Sequence, residues 1–232
     1  MLEFCLKRKS SSFKSTLESD GLDYYYVMGK TLIIRIPKTG SSSLIKGLCI
    51  DPDSTVCLDN VDFSNITNVV VTVRNPFDRL VSCWADRVLQ VARLHPEFLL
   101  EKTIFKDFVD CVCQLEDTGS DQHFRSQYTF LKGIPTDVKI NAFDLYALRS
   151  TEEWNLLISK IDLSGLPDEV EIRNKFSKTF PHEKANHLPT IESTKHIAYR
   201  ARYLINTFCD ENLIDIVHKR YLKDFQMLEY SF

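Results

Sequence analysis

The stretch Thr31–Leu48, TLIIRIPKTGSSSLIKGL, constrains this chain more than any other. Thr31–Ile36 is a short apolar run rich in β-branched residues, the pattern of a buried strand. Pro37 stops it, Gly40 permits a tight turn, and three serines lead into the helix-spaced Leu44, Ile45 and Leu48. Strand, Gly/Ser loop and helix start together make an anion cradle. Backbone N–H groups at the start of the helix, and the positive end of its dipole, favour a phosphate or sulfate. Lys38 adds a mobile positive charge, and Thr39, Ser41, Ser42 and Ser43 add hydroxyl donors. An ordinary βα turn with an exposed lysine has the same outline, but Lys-Thr-Gly-Ser-Ser-Ser directly after a buried strand favours the anion site. The loop is not a Walker A motif, which places its lysine after a second glycine; here Lys38 precedes the loop's one glycine.

A second buried strand is expected over Asn68–Val73, NVVVTV, a near-continuous β-branched run of the kind parallel sheets require. It ends at Arg74, whose guanidinium fork suits phosphate. Pro76 starts a helix with Leu80, Trp84, Val88 and Val91 on one face, and Ser82 lies on that helix about two turns from Arg74. Further strands are expected over Asp23–Met28 and Val138–Leu145, and further helices around Phe105–Leu115, Glu152–Ile161 and Lys195–Phe225. Such alternation predicts an α/β fold of three layers, a central mostly parallel sheet with helices on both faces. Ligands then bind at the carboxyl edge of the strands, where both motifs fall.

At 232 residues the chain suits one α/β domain, expected over 21–232 behind a polar tail over 1–20. A net charge of −3 argues against general nucleic-acid binding. No apolar run reaches membrane-spanning length, and MLEFCLKRKSSSF lacks the apolar core of a secretory signal, so a cytoplasmic protein is expected. The seven cysteines are odd in number and scattered, which fits buried thiols in a reducing compartment rather than a disulfide framework. Cys111-Val-Cys113 lacks the spacing of a zinc pair, and no metal is expected.

The motifs resemble a known family. PKTGSSS at Pro37–Ser43 resembles the 5′-phosphosulfate loop of sulfotransferases, in the form seen in the Golgi carbohydrate enzymes and their microbial relatives. Arg74 and Ser82 match the family's 3′-phosphate element, and Arg-Asn-Pro-Phe-Asp-Arg-Leu-Val-Ser matches the carbohydrate branch in detail. Asp121–Gln127 is similar to the family's DxHWxPQ element, with Phe for Trp and Ser for Pro. Phe180–Asn186 is similar to its LPHxN segment, and Tyr221, Asp224 and Phe225 to its last helix.

The resemblance implies a P-loop-like sulfotransferase fold in a soluble microbial or viral-like member. It implies sulfonate transfer from 3′-phosphoadenosine 5′-phosphosulfate (PAPS) to an acceptor hydroxyl, leaving 3′-phosphoadenosine 5′-phosphate (PAP). The expected acceptor is a carbohydrate or glycolipid. In that picture Pro37–Ser43, Arg74 and Ser82 hold the donor, and Lys38 neutralises the leaving phosphate oxygen. Between Gly40 and Arg74 the chain has neither histidine nor glutamate to serve as the base. His123 is the first candidate, because an imidazole titrates near neutrality; a structural role for it stays open, with Asp59 and Asp62 as second choices. Two other classes compete: a P-loop-type phosphoryl-transfer enzyme, and a nucleotide-binding module without activity.

Overall fold

The computed structural model describes residues 24–84, 109–110, 112–117, 120–164, 166, 170–176 and 211–230. The expected polar tail, the Phe180–Asn186 segment and the far end of the helix after Pro76 lie outside these residues. The chain divides into two compact units, one from Leu22–Arg74 and Gln127–Thr179, the other from Met1–Gly21, Asn75–Ser126 and Phe180–Phe232.

The first unit holds a four-stranded sheet in the order β1 (Tyr24–Met28), β2 (Thr31–Arg35), β3 (Asn68–Val73), β4 (Lys139–Asp144). β1 pairs antiparallel with β2, as the two-residue turn at Gly29-Lys30 requires. β2 with β3 and β3 with β4 are parallel. Most pairings are therefore parallel, and the sheet is mixed because of one hairpin. The β-branched runs are explained by two-sided burial. Leu32, Ile33, Ile34, Val69, Val70 and Val71 are all 0% exposed, so neither face of the two central strands carries polar alternation.

Helix α1 (Ser41–Gly47) follows β2, and α3 (Thr151–Ile158) follows β4. Leu44, Ile45 and Leu48 from the first, with Trp154 and Leu157 from the second, pack on the sheet face formed by Tyr26, Ile33, Val70 and Phe143. Each such aliphatic side chain contributes about 1.5–3 kcal/mol by leaving water. α3 starts where Ser150 accepts the Glu153 N–H at 3.1 Å, a cap that satisfies one of the helix's orphan donors. α1 ends earlier than the Asp51-Pro52-Asp53 sequence suggests. Cys49 takes a left-handed φ of 55, and the Ile50 N–H bonds back to the Ile45 carbonyl at 3.0 Å, closing the helix.

The second unit is helical in its described part. α2 (Pro76–Trp84) begins with a proline at its first position, and Asn75 Oδ1 accepts the Phe77 N–H at 2.9 Å. α4 (Glu211–Arg220) and α5 (Leu222–Leu228) fall in the later part of the helical stretch expected over Lys195–Phe225, whose beginning lies outside the described residues. Phe77, Leu80 and Val81 share a core with Val109, Val112, Leu213, Val217 and Phe225. The expectation of buried thiols holds for Cys83 and fails for Cys49 and Cys57, which are exposed. Cys49 faces out because it is the residue that closes α1. Burial pushes the Cys113 thiol up to about 12, so that sulfur stays protonated.

Candidate functional site

The parallel strands β2, β3 and β4 end at Arg35, Val73 and Asp144, so the Pro37–Ser43 loop, Arg74 and Tyr146 follow at one edge of the first unit. The loop's shape comes from two left-handed residues, Lys38 (φ 67) and Gly40 (φ 85). Glycine is required at the second: a Cβ there would stand 2.3 Å from Leu145 Cδ1 and 2.7 Å from Phe176 Cε1.

Two of the loop's hydroxyls face inward. Thr39 is fully buried and donates to the Ile36 carbonyl at 2.9 Å, and Ser41 Oγ donates to the same carbonyl at 2.7 Å. Since Thr39 has one hydroxyl proton, the 3.0 Å contact between Thr39 Oγ1 and Thr72 Oγ1 has Thr72 as donor. Thr39 and Ser41 thus tie the loop to β2 and β3, while Ser42 is exposed and Ser43 half-buried. The backbone N–H groups of Thr39, Gly40, Ser41 and Ser42 have no hydrogen-bond partner among the described residues, whereas the next two, Ser43 and Leu44, bond to the Gly40 carbonyl. Four unpaired donors behind a lysine are what an anion needs.

Arg74 is 4% exposed rather than reaching into solvent. Its Nη1 donates to the Lys38 carbonyl at 3.3 Å and its Nη2 to the Tyr146 hydroxyl at 3.0 Å. Its Nε is buried with no hydrogen-bond partner among the described residues. The guanidinium lies 5.5 Å from the Tyr146 ring, and the Arg149 guanidinium lies 4.8 Å from the same ring. The Arg74 backbone is held by Gln127, a side chain with no exposure at all. The structure therefore brings Lys38 and Arg74 together, through a direct hydrogen bond between them.

Ser82 and His123 belong to the other unit. Ser82 is half-buried on α2. His123 sits in a loop whose every carbonyl from Ser120 to Arg125 is taken. Arg125 Nε donates to Ser120 O (2.8 Å), the Phe124 N–H to Asp121 O (2.9 Å) and Arg79 Nη2 to Gln122 O (3.0 Å). Cys83 Sγ donates to His123 O (3.0 Å), the Tyr221 hydroxyl to Phe124 O (2.7 Å) and Arg79 Nη1 to Arg125 O (2.6 Å). Burial raises the Tyr221 phenol well above its ordinary range, which keeps it a donor at all working pH values. Within the loop, Asp121 Oδ1 lies 2.8 Å from the His123 backbone nitrogen and 2.6 Å from its Nδ1.

Of the carboxylates considered as bases, Asp62 caps the short turn Phe63–Asn65. It accepts the Ser64 hydroxyl at 2.6 Å, the Ser64 N–H at 3.1 Å and Asn65 Nδ2 at 2.6 Å, and these bonds hold it below the usual carboxylate range. That makes it a weaker proton acceptor. Asp59 is exposed in the turn Leu58–Asn60. Sequence reading missed Thr72, Tyr146 and the specific task of Gln127. Gln127 stood inside a motif already singled out; Tyr146 had no local signal, because its partner is seventy-two residues away.

No described helix is long and apolar enough to cross a membrane. No curated protein and no solved structure matches the chain. The family model described as the sulfotransferase family matches residues 29–231, a span containing the Lys38 loop, Arg74, Ser82 and the His123 loop. With that match over most of its length, the chain belongs to the sulfotransferase family, transferases that move sulfonyl groups to hydroxyl-bearing acceptors.

Proposed function

We propose that the protein transfers the sulfonate of PAPS to a hydroxyl of a carbohydrate or glycolipid, in the manner of the carbohydrate branch, and works in the cytoplasm. The observation that carries this reading is the loop after β2, where the N–H groups of Thr39–Ser42 have no partner among the described residues and Arg74 hydrogen-bonds the Lys38 carbonyl. The residues present fit a doubly anionic donor: besides the loop donors, Arg74 keeps a buried Nε with no hydrogen-bond partner among the described residues. PAPS, when bound, supplies the sulfonate group.

The chain's own groups do the rest. Thr39–Ser42 N–H groups hold the 5′-phosphosulfate, with the Ser42 and Ser43 hydroxyls beside them. Lys38 places its ammonium against the oxygen on which negative charge grows, and such preorganised charge is worth about 2.7–4 kcal/mol of barrier. Arg74 and Ser82 hold the 3′-phosphate, which separates this donor from ATP. His123 takes the proton of the acceptor hydroxyl. The run Arg74–Ser82 supports the carbohydrate branch, which it resembles in detail.

The test is calorimetric binding of PAP against ATP and AMP, in EDTA and in magnesium. Tight binding that needs the 3′-phosphate, ignores the metal and weakens in Arg74→Ala is expected. A magnesium-dependent preference for ATP would hand the site to phosphoryl transfer. Radiolabelled PAPS offered with sugars, glycolipids, phenols and steroids then tests the acceptor; labelling of phenols or steroids alone would overturn the carbohydrate assignment. Lys38→Ala should abolish transfer while leaving PAP binding largely intact. Unlabelled acceptors throughout, with normal PAP binding, would instead mark a binding module.

A further inference from the structure

We propose that Phe176 is the positioning residue of the anion loop: its ring holds Gly40 in the left-handed turn and so aims the loop's N–H groups at the 5′-phosphate end of the donor. This rests on the reading of that loop as the donor site. The argument starts from space. A Cβ on Gly40 would stand 2.7 Å from Phe176 Cε1 and 3.5 Å from Phe176 Cδ1, with Leu145 Cδ1 at 2.3 Å. The volume that glycine leaves is therefore filled by a ring edge and a leucine methyl, both from distant parts of the chain. Gly40 takes a φ of 85, and its carbonyl accepts the N–H groups of Ser43 at 2.8 Å and Leu44 at 3.2 Å. One residue thus closes the first turn of α1 and carries an N–H with no partner among the described residues.

The ring is delivered by a strap, residues 170–176, which meets α1 at both ends. The Arg173 N–H donates to the Gly47 carbonyl at 3.0 Å and so satisfies one of the orphan acceptors at the end of the helix. Gly47 is the second close approach: a Cβ there would stand 2.6 Å from the Arg173 carbonyl oxygen and 3.0 Å from Trp154 Cη2. Asn174 Nδ2 donates to the Leu148 carbonyl at 3.1 Å, and Asn174 Oδ1 accepts the Phe176 N–H at 2.8 Å. One amide therefore fixes the main chain that carries the ring. The ring is buried and packs at a tilt on Trp154, with centroids 6.1 Å apart. All these residues belong to the first unit.

Packing from outside has to do this work. α1 has seven residues, and a helix of that length has no stability of its own. Gly40 stands at its cap position and offers no side-chain hydrogen bond. On one side the Thr39 and Ser41 hydroxyls tie the loop to the Ile36 carbonyl. On the other, Phe176 and Leu145 close on Gly40. A glycine visits other backbone regions at almost no cost, so the left-handed turn persists only while its neighbours exclude the alternatives. Rotating the Gly40 peptide would turn adjacent N–H groups away from a common point, and an anion is gripped by N–H groups that converge. Donors that must be reoriented on binding give lower affinity than donors already in place.

Calorimetry on the full chain separates this role from general stability. PAP and adenosine 3′-phosphate differ only in the 5′-phosphate, so the ratio of their affinities reads what the loop contributes. Phe176→Ala should lower that ratio about tenfold or more, the worth of one hydrogen bond to a charged group, with adenosine 3′-phosphate binding unchanged. Phe176→Leu, which keeps the core filled, and Asn174→Ala, which frees the strap, should lower it in the same direction. Leu157→Ala, on α3 in the same core, should lower the melting temperature and leave the ratio at its wild-type value. An unchanged ratio in Phe176→Leu, or an equal loss for both nucleotides, would overturn the proposal. Hydrogen exchange gives a reading that needs no nucleotide. The Ser43 and Leu44 amides, bonded to the Gly40 carbonyl, should exchange faster in Phe176→Leu while the β2 and β3 amides keep their wild-type rates. Unchanged exchange at Ser43 and Leu44 would also overturn it. If the wild type binds neither nucleotide, the donor reading falls, and exchange alone then decides whether Phe176 holds the loop.

Discussion

Gln127 satisfies both main-chain polar groups of Arg74 with one side chain: the Arg74 N–H donates to Gln127 Oε1 at 3.0 Å, and Gln127 Nε2 donates to the Arg74 carbonyl at 2.7 Å. β3 ends at Val73, and the amide replaces the next residue of a neighbouring strand. The guanidinium then reaches the Lys38 carbonyl. The main chain that carries the arginine is thus pinned by one buried glutamine.

Gln127→Ala leaves two buried main-chain groups unpaired, each costing about 1–3 kcal/mol. The urea midpoint should fall accordingly, and PAP should bind more weakly than to Ser42→Ala. Gln127→Glu should be as damaging, because a carboxylate cannot donate to the Arg74 carbonyl. Wild-type PAP affinity in a folded Gln127→Ala would disconnect this clamp from the donor site.

Lys38 holds a left-handed φ of 67 with a side chain that prefers otherwise. The strain is about 1–2 kcal/mol, and glycine relieves it at the cost of about 0.5–1 kcal/mol in unfolded-chain entropy. Lys38→Gly should therefore melt no lower than the wild type while transfer falls at least about a hundredfold. A clear loss of stability would show that the backbone here is not strained.

Cys49 occupies the left-handed position that closes α1, φ 55, where glycine is the usual residue. Cys49→Gly should raise stability by up to about 1 kcal/mol, read as a higher melting temperature with unchanged PAP binding. Among the described residues, the side-chain bond given up is the weak 3.6 Å contact from Cys49 Sγ to the Glu171 carbonyl.

Asp162 gives stability a sign in acid. The Ser164 hydrogen bonds first, then the bond from the Lys30 N–H at 2.9 Å, hold its carboxyl below the ordinary 3.8. A depressed folded value means the contribution is fully present above the ordinary value and is lost as pH falls through the folded one. The stability difference between wild type and Asp162→Asn should be constant from neutral pH to about pH 5 and shrink below about pH 4. A difference that persists unchanged to about pH 2 would mean that the ionised carboxyl does not anchor the β1–β2 turn.

Much of this protein was legible in its sequence because the relevant physics is local. A β-branched run such as Asn68–Val73 can bury both faces only as a central strand, and Pro37 and Gly40 punctuate the chain whatever surrounds them. The Lys38 loop and Arg74 could be singled out from residue types and spacing, and the Asp121–Gln127 motif from its resemblance to the family. Contacts between distant parts of the chain could not. Only the tertiary structure turned the Thr39 and Ser41 hydroxyls inward to Ile36, because those bonds depend on how β2 leaves the sheet. Only it laid Arg74 against Tyr146 and the Lys38 carbonyl, and gave Gln127 the strand end to clamp. Sequence sets which groups a chain carries and which turns it must make. Packing decides which hydrogen bonds are spent inside and which donors are left for a ligand.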